Sequence, residues 1–135
     1  MSLPTSIDWT KIKALTFDIY GTLVDWDAGV VRAARATALG PYLSSDEELL
    51  TAVEEHHARI EREQPRMIKS EINAEGLRAY AADLGVLKEG KLTEDEIEEA
   101  AKQFGESIGQ FEAFDDTVTL RPVANKSYRS RELTQ

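Results

Sequence analysis

The sequence predicts a mainly α chain, about four amphipathic helices preceded by one short β-strand, and three observations carry that prediction. Apolar residues recur at helical spacing from Val30 to Ile108. Capping pairs of Ser or Thr with Glu three residues on, and Gly or Pro stops, punctuate that periodicity. Ahead of it, Ile12 to Phe17 is a short apolar run that stops at Asp18, Gly21 and Thr22, the pattern of a buried strand ending at a functional loop.

Each helix has its own signals. Asp27 is positioned to cap the first, which carries Val30, Val31, Ala34 and Ala38 on one face and stops at Gly40-Pro41. Ser45 and Glu48 form a capping-box pattern before Leu49, Leu50, Val53 and Ile60, and Pro65 closes that helix because it can neither donate an amide nor continue the turn. The third carries Ile72, Leu77, Tyr80 and Leu84, with Gly85 as its stop. Thr93 and Glu96 open the fourth, whose stripe is Ile97, Ala101, Phe104 and Ile108. Helices of this kind bury their stripes against one another.

Composition narrows the function classes. With 135 residues, 41% of them hydrophobic, the chain can bury the core of one domain. Its net charge of -9, from 25 acidic and 16 basic residues, argues against a nucleic-acid backbone or an anionic membrane as partner. No cysteine is present, which excludes disulfides, thiolate metal sites and a cysteine nucleophile. The first residues lack a basic region followed by an apolar stretch, and no run reaches membrane-spanning length, so a cytoplasmic protein is expected.

The loop after the strand carries the chemistry. A carboxylate at the C-terminal end of a strand, with Gly21 letting backbone amides approach, can attack an electrophilic carbon or phosphorus. Asp18 is the candidate nucleophile. An isolated Asp-Gly pattern is more often a turn cap, and it is the whole string after an apolar strand that favours the catalytic reading. That string, Asp18-Ile19-Tyr20-Gly21-Thr22-Leu23-Val24-Asp25, resembles the first motif of the haloacid dehalogenase superfamily, and its tyrosine is similar to the 2-haloacid dehalogenase branch.

The resemblance implies a mainly α product: a helical cap of about four helices plus the first strand of an incomplete Rossmann-like α/β core. Residues 1–25 would be the core strand and nucleophile loop, 26–110 the cap, and 111–135 the return segment and an irregular tail. It further implies a hydrolase in which Asp18 forms an ester with a 2-halo acid or a related small carboxylate, with Tyr20, Gly21, Thr22 and Trp26 lining the substrate site. No metal or other cofactor is implied, because a halide leaves without a proton and brings no phosphoryl charge to neutralise. Phosphatase members carry an aspartate where Tyr20 stands, so a magnesium-dependent phosphatase is the less favoured alternative. A cap arginine would fix the substrate carboxylate, and Arg59 and Arg62 lie in about the right helix, although with Glu61 and Glu63 they also read as an exposed charged face.

The histidines and the C-terminal segment carry weaker signals. His56 and His57 are adjacent on a helix and so point to different faces, which makes a shared metal improbable and solvated or packed histidines the expectation. From Thr119 to Gln135 the chain has neither a strand run nor helical periodicity. Lys126, Ser127 and Ser130 have the residue types of the family's later motifs without a strand to aim them. The expectation is therefore a chain truncated after the cap, with little or no activity. A non-catalytic helical module, pairing as a homodimer or with another partner through an uncovered apolar cap face, is the remaining alternative.

Overall fold

The computed structural model describes residues 8–119, and four α-helices make up most of them: α1 (Trp26–Arg35), α2 (Asp46–Glu63), α3 (Lys69–Asp83) and α4 (Glu94–Glu106). The mainly α expectation holds. Short 3-10 turns occupy Trp9–Lys11, Gly40–Tyr42 and Ser107–Gln110, and residues 115–119 are helical. Lys126, Ser127 and Ser130 lie outside the described residues.

The helix ends follow the capping chemistry, with one shift. Asp25, not Asp27, caps α1: its Oδ1 accepts the Ala28 amide at 3.1 Å, while Asp27 sits inside the first turn, where its charge suits the helix dipole. Ser45 Oγ accepts the Glu48 amide at 3.3 Å and opens α2. At Thr93 both arms of the capping box form, the Thr93 hydroxyl accepting the Glu96 amide and the Glu96 carboxylate accepting the Thr93 amide at 2.8 Å. α3 starts after Ile68 with no side-chain cap, directly beyond the Pro65 turn.

The buried stripes converge on one core. Val30 and Ala34 of α1, Leu49 and Val53 of α2, Leu77 and Tyr80 of α3, and Ile97 and Phe104 of α4 all belong to it. Phe104 is the largest fully buried side chain among them, and burying such a ring is worth about 1.5–3 kcal/mol. Ala38 is exposed and Ile108 only half-buried, because α1 ends at Arg35 and α4 at Glu106, so neither residue stays in helical register with its stripe. The contact of α3 with α4 is the most extensive, followed by α2 with α3. Gly105 makes the first of these possible, since a Cβ there would stand 2.4 Å from the Ser70 carbonyl oxygen. Arg78 reinforces the pair with a bidentate bond to Glu98, at 2.5 and 2.9 Å, and a further bond to Glu75.

The expected strand is not formed: residues 12–19 have no regular structure, and the described residues contain no β-strand. Leu15 is 52% exposed and Phe17 62%. An isolated strand has no ladder to complete and no face to bury, so β-propensity alone does not hold it. In place of a sheet there are two isolated bridges, Tyr20 with Val24 and Val24 with Ala113. No described helix is long and apolar enough to cross a membrane.

Candidate functional site

The Asp18 loop is a compact turn built around one carbonyl. Ile19 O accepts the amides of Thr22 at 3.3 Å, Leu23 at 2.8 Å and Val24 at 3.0 Å, and the Gly21 amide closes the turn on Val24 O at 2.9 Å. Gly21 has φ +79°, the left-handed region that residues with a Cβ avoid, which is why glycine stands here. The consequence for chemistry is direct: the amides from Gly21 to Val24 are engaged within the turn and do not point at a ligand. Asp18 is exposed, and Thr22 Oγ1 donates to its Oδ2 at 3.1 Å, leaving Oδ1 free of protein hydrogen bonds among the described residues.

Chain segments distant in sequence meet beside this loop. Asp25 N donates to Glu112 O at 2.9 Å and Phe114 N to Leu23 O at 3.1 Å, so the way into the helical unit and the way out of it are stitched side by side. Arg32 and Glu112 add an ion pair at 2.6 Å, exposed on both sides and worth little by itself. Trp26, the first residue of α1, is packed edge-on against three rings: Tyr20 at 5.1 Å, Phe111 at 5.5 Å and His57 at 6.0 Å between centroids. Loop, return segment and α2 are therefore coupled through one half-buried indole.

Tyr20, Gly21 and Trp26 form one wall of a cavity of about 560 Å³ whose other walls come from α2 and the start of α3. Asp18 and Thr22 do not line it, nor do Arg59 and Arg62. Both arginines lie on the exposed side of α2, Arg59 paired with Glu63 at 3.1 Å. The cation at the cavity is instead Lys69, whose Nζ stands 5.3 Å over the Trp26 ring and donates to Glu61 Oε1 at 2.9 Å. Beside that ammonium the Glu61 carboxyl is held below its ordinary range, hydrogen bonding first and charge second.

His57 also lines the cavity, yet it is nearly all buried, and its Nε2 has no hydrogen-bonding partner among the described residues. Burial, and then the Lys69 charge, push its pKa down to about 4, so it is a neutral imidazole at pH 7. Its neighbour in sequence faces elsewhere, His56 Nε2 meeting Asp83 Oδ2 at 2.7 Å across the α2–α3 interface. Among the described residues no three His, Asp or Glu side chains are grouped to hold a metal.

Lys69 escaped the sequence reading, and Glu61 was read there only as part of an exposed charged face, because their partnership depends on how α2 and α3 pack. A signal was present: Pro65 ends one helix and another starts within a few residues, and so short a connection makes antiparallel neighbours, putting the last turn of α2 beside the first of α3. Set against protein-family models, curated proteins and solved structures, the chain matches none of them.

Proposed function

We propose that this chain carries the nucleophile loop and helical cap of a hydrolase of the 2-haloacid dehalogenase type, in a form that turns over slowly. The observation that carries the reading is the pairing of residues 23–25 with 112–114. A helical unit whose two ends lie side by side, next to a turn that presents a carboxylate, has the connectivity of a cap inserted after a nucleophile motif.

The chemistry assigned to Asp18 needs few groups. Its free Oδ1 attacks the halogen-bearing carbon of a small 2-halo acid, the carbon–halogen bond breaks, and the halide leaves with the bonding pair. An ester to Asp18 results. Water then adds to the ester carbonyl, one of its protons passing to the departing alkoxide and the other to solvent, and collapse releases the 2-hydroxy acid and restores the carboxylate. Thr22 holds the other oxygen and so selects which one attacks. Tyr20 in place of a second carboxylate supports a leaving group that needs no proton.

Low turnover follows from the setting of the nucleophile. An exposed carboxylate is hydrated, and a hydrated anion must shed water before it attacks. The amides of the turn are committed to Ile19 and Val24 and offer no developing charge a donor. Incubating concentrated protein with 2-chloropropionate should give slow chloride release that Asp18→Asn abolishes, and in ¹⁸O-labelled water the label should enter Asp18 over repeated turnovers. Chloride release equal in wild type and Asp18→Asn, or absent at every protein concentration, would overturn the assignment.

A further inference from the structure

The cavity beside Trp26 has a charge opposite to what a carboxylate substrate needs. Asp27, Glu47, Glu54 and Glu61 line it, against the single ammonium of Lys69. Only Glu61 among these carboxylates is ion-paired within the described residues. His57 adds no positive charge at pH 7, since its imidazole there is neutral.

The protein already displays the mode of recognition such a cavity offers. The Lys69 ammonium rests between the face of Trp26, at 5.3 Å, and the Glu61 carboxylate, at 2.9 Å. An aromatic face draws a cation by its quadrupole, and a nearby carboxylate adds a full charge. Tyr20 packs edge-on against the same indole and extends the aromatic wall. At about 560 Å³ the space falls within the range of small-molecule sites, roughly 300–1,000 Å³. It is larger than one lysine head group requires.

The geometry points to this cavity as a binding site for a small organic cation, an alkylated ammonium such as a choline-type head group. The ligand's cationic carbons lie against Trp26 and Tyr20, with Glu54 and Glu61 balancing the charge, and Lys69 acts as a tethered competitor for the same face. The cavity shares Tyr20, Gly21 and Trp26 with the substrate wall of the hydrolase reading, but the nucleophile Asp18 does not line it.

The test titrates choline and its uncharged isostere, 3,3-dimethyl-1-butanol, into the full chain at low ionic strength. Trp9→Phe leaves Trp26 as the sole tryptophan, and its indole N–H resonance is the reporter. Choline should shift that resonance saturably and the isostere should not. Lys69→Ala should tighten choline binding roughly three- to five-fold by removing the competitor, and the pair Glu54→Gln with Glu61→Gln should weaken it by about as much. The site is refuted by an isostere that binds as well as choline, by unchanged or weaker binding in Lys69→Ala, or by a Trp26 resonance that saturates with acetate and not with choline. The outcome of the chloride assay on Asp18 bears on none of these results.

Discussion

The His57 imidazole lies against Gly76 so closely that a Cβ on that glycine would meet His57 Cδ2 at 2.8 Å and Nε2 at 3.0 Å. Both residues are buried in the contact between α2 and α3, and the absent side chain is what lets the ring lie there. In that contact Nε2 has no partner among the described residues, and an unsatisfied buried polar atom costs about 1–3 kcal/mol. The contact also sets the low pKa of the ring, because burial is the largest cause of that shift.

Gly76→Ala should therefore destabilise the protein. Overpacking costs about 1–3 kcal/mol and the better helix propensity of Ala returns about 1, which leaves a net loss of up to about 2 kcal/mol. Urea denaturation of Gly76→Ala, His57→Ala and the double variant measures the coupling. The alanine should cost little once the ring is gone. An equal cost in both backgrounds would show that the ring is not what the methyl group meets.

His57 should also make stability depend on pH. Its folded pKa, about 4, lies below the ordinary 6.5. Between those values the unfolded chain binds a proton that the folded chain refuses, so stability is level above pH 6.5 and falls as the pH drops toward 4. The loss by pH 4.5 should be about 2 kcal/mol, discounting for the solvent that reaches the cavity side of the ring. Denaturation midpoints at pH 7 and pH 5.5 sample this window while most carboxylates stay ionised, and the comparison with a His57 variant assigns the change to this ring. His57→Gln should flatten the dependence there, and a slope that persists unchanged assigns it to other groups.

Residues 13–18 should exchange their amide hydrogens within seconds to minutes at neutral pH, orders of magnitude faster than the interior of α3. Among the described residues none of these amides donates a backbone hydrogen bond, and Leu15 and Phe17 are exposed. Hydrogen exchange followed by mass spectrometry or NMR reads both segments in one experiment. Protection at Leu15 to Phe17 equal to that at Leu77 would mean that the segment is paired in solution and that a strand exists there.

Most of the helical architecture was legible because its signals are local. A capping box at Thr93, a proline at 65 and a stripe such as Ile97, Ala101 and Phe104 act within one or two turns of chain, so the sequence displays them without reference to the fold. The shift of the α1 cap from Asp27 to Asp25 is the ordinary imprecision of a terminus where two nearby aspartates compete. Ala38 and Ile108 fell out of their stripes for a similar reason, since periodicity does not say at which residue a helix stops.

The strand is the instructive miss. Ile12 to Phe17 has the composition of a strand, but a strand is a relationship between segments, and its hydrogen bonds and its buried face both belong to a partner. Asp18, Tyr20 and Gly21 are the residues the sequence singled out, and they do occupy one tight turn. Arg59 and Arg62 lie on the exposed side of α2, while Lys69, which no local pattern marked, stands over Trp26.

The sequence by itself determined four helices, most of their buried stripes and a glycine turn after Asp18, because those depend on spacing along the chain and on the steric limits of single residues. Only the tertiary structure decided that residues 23–25 lie beside 112–114, that Lys69 and not an arginine meets the indole, and that His57 is buried and neutral. The physical reason is range. Caps and periodicity are settled over a few ångströms of neighbouring backbone, whereas the charge of a cavity and the pKa of a buried ring are summed over every element that closes around them.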